Sequence, residues 1–127
     1  MLKHEVWLAK ALSDLKLAQI GAQNFDVMDS AIFHTQQCAE KALKAYLVYR
    51  EQPIHRTHDL EMLIKSCSVF DKSFMALFEQ AALLNPYCFG FRYPIDNEEV
   101  LVPESEEMSE ALAAAEYILD FVKKKLS

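Results

Sequence analysis

The scarcity of turn-forming residues constrains the fold of this chain most. Among its 127 residues, only two are glycine and four are proline. β-Sandwiches and barrels place a turn about every 8–12 residues, and those turns draw heavily on glycine and proline. Hydrophobic residues make up 52% of the chain, which is enough for a packed core. We therefore predict an all-α protein, an up-and-down bundle of four to five helices in a single domain over residues 1–127.

The spacing of apolar residues predicts where the helices lie. Apolar side chains recur at three- and four-residue steps, which places them on one face of a helix. The predicted helices cover residues 5–22, 26–50, 58–69, 72–84 and 104–126. Gly21 is a candidate terminator of the first, while Thr57 and Asp71 are candidate N-caps of the third and fourth. Between the last two helices, residues 85–103 form a proline-interrupted, aromatic-rich loop that we expect to be held against the bundle.

Charge and cysteine content exclude several function classes. The net charge of −6 argues against general binding to nucleic acid or anionic membranes, and the whole excess of acids lies in residues 96–127. We interpret that acidic region as a solvated helix face. There is no apolar run of the roughly 20 residues that a membrane span needs. Three cysteines without a CxxC pair favour a reducing, cytoplasmic location.

Polar residues form a stripe along the predicted second helix. His34, Gln37, Lys41 and Lys44 are spaced so that they share one face, with Gln36 and Glu40 beside them. Such a set offers hydrogen-bond donors, cations and one titratable imidazole, which together suit a phosphate or the edge of a base. The alternative is a solvated helix face with His34 half buried.

The connector after the second helix concentrates further cationic groups. His55, Arg56 and His58 lie there, and His58 falls in the first turn of the predicted third helix, where free N–H groups favour anions. Capping and turn polarity are the alternative reading. His55 and His58 lack further ligands at suitable spacing, so we predict no metal site. Arg92, in the aromatic loop, either binds phosphate or pairs with a carboxylate.

Catalytic signatures are sparse. With two glycines, neither a P-loop nor a dinucleotide-binding fingerprint is possible. Arg50 and His55 have the R-x-x-x-x-H spacing of some metal-independent ribonucleases, in which arginine stabilises charge and histidine transfers a proton. Pro53 interrupts that pair, so the two residues straddle a helix end. We therefore do not predict an enzyme, and the enzymatic alternative is a ribonuclease.

Several segments resemble the HEPN domain family (higher eukaryotes and prokaryotes nucleotide-binding). The residues that carry the resemblance run in order along the chain: Trp7, Asp14 to Ala18, Phe33-His34-Thr35-Gln36-Gln37-Cys38-Ala39-Glu40-Lys41-Ala42-Leu43-Lys44-Ala45, Thr57-His58-Asp59-Leu60 and Arg92-Tyr93-Pro94. The resemblance implies a compact, usually dimeric helical bundle that binds nucleotides and is often encoded beside a minimal nucleotidyltransferase. One branch comprises ribonuclease toxins of toxin–antitoxin modules, with R-x(4-6)-H on a late helix. Here no histidine follows His58.

These observations combine into one predicted ligand site and two alternatives. The site comprises His34, Gln37, Lys41, His58, Arg92 and Tyr93. Lys41 and Arg92 would neutralise phosphate, His34 and Gln37 would bind ribose or base, and Tyr93 would stack on the base. The nucleotide is the ligand, and no other cofactor is predicted. The first alternative is a toxin that cleaves RNA through Arg50 and His55. The second is a non-catalytic module without a ligand of its own that binds a nucleotidyltransferase as its partner protein. A variant of this alternative is a purely structural homodimer, with the apolar stripes of the second and fourth helices as its interface.

Overall fold

Helices account for all regular secondary structure that the computed structural model describes, which covers residues 1–91 and 102–127. The five α-helices are α1 (Lys3–Gly21), α2 (Met28–Tyr49), α3 (Leu60–Ser68), α4 (Phe78–Leu84) and α5 (Ser105–Leu126). Short 3-10 turns cover Phe25–Val27, Lys72–Leu77 and Asn85–Cys88. This confirms the predicted all-α bundle and its helix number. None of the described helices is long and apolar enough to cross a bilayer.

α1 and α2 form a closely packed antiparallel hairpin. Their contact is the most extensive between any two helices, and α2 also touches α3 and α5. Gly21 does not end α1 through a left-handed turn, because neither glycine of the chain has a positive φ. Instead, a Cβ at Gly21 would collide with the Cβ of Ala31 on α2. Gly21 therefore allows the close approach of the two helices.

The core lies around α2 and is completed by α3, α4 and α5. Its largest fully buried apolar side chains are Phe74, Ile32, Leu43, Leu60, Leu63, Ile64, Leu77, Leu84, Met108, Ile118 and Leu119. The residues of the two predicted apolar stripes are mostly buried in this core, namely Met28, Ile32, Ala39, Leu43 and Tyr46 of α2 and Phe74, Leu77, Ala81 and Leu84 of the segment 72–84. The core of one chain therefore already covers the two apolar stripes suggested as a dimer interface, and this suggestion is wrong.

α3 begins later than predicted. Its N-cap is Asp59, whose carboxylate accepts hydrogen bonds from the backbone N–H of Glu61 at 3.0 Å and of Met62 at 3.4 Å. Thr57 instead accepts from the N–H of Asp59 at 3.1 Å, which is a local turn rather than a helix cap. Aspartate is the better cap here because it satisfies two free N–H groups. As a result His58 precedes the helix instead of lying in its first turn.

The predicted fourth helix is divided. Residues 72–77 form a 3-10 turn capped by Asp71, which accepts from Ser73 N at 2.9 Å, and α4 follows as a separate short helix. Asp71 therefore caps the start of the predicted segment, as expected, but it caps a 3-10 turn and not α4, whose N-cap is Leu77. In the following segment, Tyr87 is buried and its hydroxyl donates to Glu107 Oε2 of α5 at 2.9 Å. The ring of Phe91 stacks on Tyr87 with centroids 6.1 Å apart. The described start of the aromatic loop is thus fixed to the bundle, as predicted.

Candidate functional site

Two carboxylates organise the polar side of α2, and each holds one histidine and one lysine. The first is Asp14 of α1, which is 8% exposed. Its Oδ1 lies 2.8 Å from Nδ1 of His34, and its Oδ2 lies 2.7 Å from Nζ of Lys41. Both partners come from α2, so the Asp14 cluster links the two helices of the hairpin. The positive charge of Lys41 is already balanced within the bundle.

The second carboxylate is Glu40 of α2. Its Oε2 accepts from Nζ of Lys44 at 3.0 Å, and its Oε1 lies 2.9 Å from Nδ1 of His58. Burial is the largest single influence on this carboxyl and would raise its pKa. The hydrogen bonds from Lys44 and His58, together with the Lys44 charge, outweigh burial, and the pKa of Glu40 falls below its ordinary value. Glu40 is therefore ionised at neutral pH.

Two glutamines of α2 complete the Glu40 cluster. Nε2 of the fully buried Gln36 donates to the backbone carbonyl of His58 at 3.0 Å and to Glu40 Oε1 at 3.2 Å. Gln37 donates to Gln36 Oε1 at 2.8 Å. Both the ring and the backbone of His58 are thus held by α2. The connector before α3 is fixed in place at this residue.

The protonation pattern of His58 follows from this geometry. An ionised carboxylate only accepts hydrogen bonds, so Nδ1 of His58 carries the hydrogen that points to Glu40. Nε2 is then an acceptor in the neutral imidazole and a donor in the imidazolium. The side chain is 54% exposed, and across residues 1–91 and 102–127 no hydrogen bond to Nε2 occurs. His58 therefore presents an oriented nitrogen to solvent.

His58 lines an open groove of about 590 Å³, the His58 groove. The other lining residues are Arg56, Thr57, Asp59, Asn85, Pro86, Cys88 and Phe89. Asn85 joins its two walls, because it donates to Asp59 Oδ1 at 2.9 Å and accepts from Leu60 N at 2.8 Å. The hydrogen bond from Asn85 is also the main reason why the pKa of Asp59 is lowered.

Phe89 and Arg56 line the His58 groove together with the imidazole. Phe89 is 62% exposed and meets the His58 ring edge-on, with centroids 6.4 Å apart. Arg56 is exposed and forms no ion pair within the described part of the chain. A cation, an oriented imidazole and an apolar ring face therefore share one groove. These groups suit a ligand that combines phosphate with a planar base.

The structure distributes the predicted ligand residues over the two clusters. His34 and Lys41 meet at Asp14, whereas Gln37 and His58 meet at Glu40, with Gln37 Nε2 at 3.5 Å from Glu40 Oε1. Arg92 and Tyr93 lie outside the described residues. Whether these six residues bind a ligand remains a prediction.

The predicted ribonuclease pair does not share a helix. Arg50 is the C-cap of α2, and its guanidinium lies over the ring of Phe70 at 4.7 Å from the centroid. His55 is exposed in the connector between α2 and α3 and does not line the His58 groove. No hydrogen bond, ion pair or ring interaction joins the two residues in the described structure. Among the described residues, no group of three or more histidines, cysteines and acids could hold a metal ion.

Sequence reasoning missed the carboxylates at the centre of both clusters. Asp14 carried a signal, because it lies between Ala11 and Ala18 in the buried stripe of α1, where an unpaired carboxylate is costly. Glu40 flanks the polar stripe in the sequence, and its spacing to Lys44 is that of a helical ion pair. Nothing in the sequence indicated that the ring of Phe89 would be exposed. It depends on how the turn after α4 meets α3.

Comparison with known proteins places this architecture in a family. The model of the HEPN domain matches residues 4–125. The TT1696 protein of Thermus thermophilus is similar over 98% of this chain and 99% of its own, with 30% identity and a TM-score of 0.79. ST0689, described as an archaeal HEPN homologue, shares the fold over the full length of both chains, with 24% identity and a TM-score of 0.76. No curated protein matches. The chain belongs to the HEPN domain family.

Proposed function

We propose that this HEPN domain binds a nucleotide or another phosphorylated ligand in the His58 groove. The observation that carries the proposal is a histidine fixed by a buried carboxylate beside an exposed guanidinium and an exposed aromatic ring. Fixing these groups before binding reduces the conformational entropy that a ligand must overcome. A purely structural histidine would not require an open groove with such neighbours.

Each group in the groove has a chemical role in this proposal. Arg56 binds phosphate oxygens through its planar guanidinium. Nε2 of His58 forms a hydrogen bond to phosphate as an imidazolium, or accepts one from a ribose hydroxyl as a neutral ring. The exposed face of Phe89 stacks on the base, which is worth roughly 1–3 kcal/mol per base in proteins that bind single strands. Glu40 positions His58 and does not touch the ligand.

The remaining predicted residues extend the proposed site along α2. His34, Gln37 and Lys41 share the polar face whose other end reaches His58. Lys41 contributes less to phosphate binding than its positive charge suggests, because its Nζ already pairs with Oδ2 of Asp14 at 2.7 Å. Arg92 and Tyr93 keep the roles that the sequence predicted, phosphate binding and stacking.

A thermal-shift and calorimetry series tests the nucleotide proposal. The purified protein is titrated with nucleoside mono-, di- and triphosphates, with inorganic phosphate as the control ligand. A ligand at 100 times its Kd stabilises the fold by roughly 2.7 kcal/mol, which shifts Tm visibly in a domain of this size. We expect Arg56→Ala and His58→Ala to weaken binding by roughly tenfold or more. Two matched controls, His55→Ala and Lys72→Ala, should bind like the wild type.

One specific observation favours the ribonuclease alternative. A histidine held by a carboxylate, with no described residue bound to its second nitrogen, has the arrangement of a general acid or base. If the protein cleaves RNA, the residue that the structure favours is His58 rather than His55. RNA cleavage lost in His58→Ala but retained in His55→Ala would support this alternative. Loss in His55→Ala alone would restore the Arg50–His55 pair.

Two partner proposals follow from the family. We propose a homodimer in which the exposed apolar residues at the end of α1 and in the following turn are covered, namely Leu17, Ile20, Phe25 and Val27. Sedimentation of Ile20→Glu should then show monomer where the wild type shows dimer. Pairing with a nucleotidyltransferase is tested by copurification with such an enzyme encoded nearby. Copurification without any nucleotide binding would favour the partner-binding module over the ligand site.

A further inference from the structure

A second groove lies between α4 and α5 and shares no residue with the His58 groove. It has a volume of about 390 Å³ and is called here the α4–α5 groove. Its floor is apolar and consists of Leu83, Ala113 and Ala114, two of which have small side chains. Tyr117, 52% exposed, forms one wall. Alanines at the floor leave room for an incoming helix to approach the bundle closely.

The rim of the α4–α5 groove is acidic on both sides. Glu79 projects from α4 and Glu110 from α5, and both are exposed. Neither carboxylate forms an ion pair with any described cation. The nearest lysines on α5 lie in its last turn, where Lys125 is already paired with Asp71 at 2.8 Å. Within residues 1–91 and 102–127, the groove therefore presents negative charge without a paired cation on both sides of an apolar floor.

The lining also contains an acceptor that lacks a partner among the residues that the structure describes. Oε1 of Gln80 is buried, and it has no hydrogen bond in the described structure. Buried polar atoms are rarely left unpaired in folded proteins, and each exception calls for an explanation. This oxygen is closed to solvent in the free protein, so a donor from a bound partner satisfies it only once the Gln80 side chain turns outward. Lysine and arginine supply such donors, and they would also match the acidic rim.

We propose that the α4–α5 groove binds a basic amphipathic helix of another protein. Apolar side chains at i, i+3 and i+4 of that helix cover Leu83, Ala113 and Ala114. Lysine or arginine residues beside them pair with Glu79 and Glu110, and one donor meets Gln80 when its side chain turns outward. The partner is thereby recognised by shape and by complementary charge.

A second copy of this chain does not fit the same groove. In a two-fold dimer the same patch must meet itself, and two concave, acidic grooves are neither complementary in shape nor in charge. The net charge of −6 on each copy adds to the repulsion. The proposal also stands apart from nucleotide binding, because the two grooves lie on different pairs of elements.

The test uses synthetic peptides as probes of the groove. One peptide carries a leucine ridge and lysines, a second replaces the lysines with glutamates, and a third replaces the leucines with serines. Binding is measured by isothermal titration calorimetry on the intact protein. We expect affinity for the leucine–lysine peptide and at least roughly tenfold weaker binding of the other two. Equal binding of the serine peptide, or no binding of the first, overturns the proposal.

Matched variants separate groove binding from general charge attraction. Glu79→Lys with Glu110→Lys should weaken binding of the leucine–lysine peptide by roughly tenfold or more. Asp26→Lys with Glu51→Lys makes the same change in net charge elsewhere and should leave binding unchanged. Equal weakening in both pairs would mean diffuse electrostatic attraction and overturn the proposal.

A substitution at Gln80 gives an independent readout. Gln80→Met removes the unpaired acceptor, so it should raise Tm of the free protein and weaken peptide binding at once. A role in the fold alone would not weaken binding. If the wild type instead sediments as a dimer that Glu79→Lys with Glu110→Lys dissociates, the occupant is a second copy and the proposal is wrong.

Discussion

His58 and Glu40 are joined by a hydrogen bond of 2.9 Å between Nδ1 and Oε1, with the carboxylate buried and the imidazole at the surface. The bond connects the centre of α2 to the connector before α3, which carries no helical hydrogen bonds of its own at this point. It orients the ring that the proposed ligand site depends on. Since Lys44 binds the other oxygen of Glu40, the stability of the bundle and the geometry of the site share one residue.

Removing the charge of Glu40 should destabilise the protein strongly. In Glu40→Gln, Lys44 keeps a buried ammonium without its counter-ion, and breaking such a pair costs about 3–5 kcal/mol. Replacing both partners, in Glu40→Gln with Lys44→Met, should cost clearly less than the two single changes added together. Urea denaturation of the four proteins measures the coupling. Additive free energies would mean that the pair contributes no interaction energy.

The stability of the protein should decrease in acid partly because of Glu40. Its pKa is lowered in the folded state, so its contribution is complete above the ordinary value of 4.5 and is lost as the pH falls below it. The slope of unfolding free energy against pH should therefore be flatter in Glu40→Gln near and below pH 4.5. Asp71→Asn is the control, because the pKa of Asp71 falls from 3.8 to about 2 and its effect lies at lower pH. An unchanged slope near pH 4.5 in Glu40→Gln would refute the assignment.

Adding a methyl group at Gly21 should separate α1 from α2. The new Cβ would collide with the Cβ of Ala31, and overpacking of this kind typically costs about 1–3 kcal/mol. The better helix propensity of alanine offsets up to about 1 kcal/mol of that cost. Gly21→Ala should thus lower Tm, and Gly21→Ala with Ala31→Gly should recover part of the loss. Absence of any rescue would show that the collision is not the cause.

Two of the three buried thiols, those of Cys38 and Cys67, should be unreactive in the native protein. Burial raises the pKa of both Cys38 and Cys67 to about 12, so at neutral pH almost no thiolate is present to attack a disulfide reagent. In Cys88→Ser, which leaves these two cysteines, labelling with such a reagent should occur only in denaturant. Rapid labelling of the folded variant at neutral pH would show that these helices open readily.

The sequence predicted the helices well because their evidence is local. Apolar periodicity located α1, α2, α3 and α5 to within two residues, whereas the predicted helix over residues 72–84 is a 3-10 turn followed by α4. The resemblance identified the family that the comparison confirms. Caps were harder, since Thr57 and Asp59 are both good capping residues and only tertiary contacts with Asn85 decide between them. The partners of His34 and His58 could not be deduced from spacing. They depend on where Asp14 of another helix and the carboxylate of Glu40 come to lie.

A glycine in place of Glu51, at the end of α2, should stabilise the protein, and this tests the backbone conformation at that position directly. Leu47 O accepts from Gln52 N at 2.9 Å and Val48 O accepts from Glu51 N at 2.9 Å, which is a Schellman motif with Glu51 in the left-handed region at φ 59°. A side chain there costs roughly 1–2 kcal/mol, which glycine avoids. Glu51→Gly should therefore raise the free energy of unfolding. Part of this gain is offset because glycine increases the conformational entropy of the unfolded chain. Glu51→Ala removes the same charge but keeps the Cβ, so it should give no such gain. Equal stabilisation by alanine would mean that the charge of Glu51, and not its backbone conformation, is what destabilises this turn.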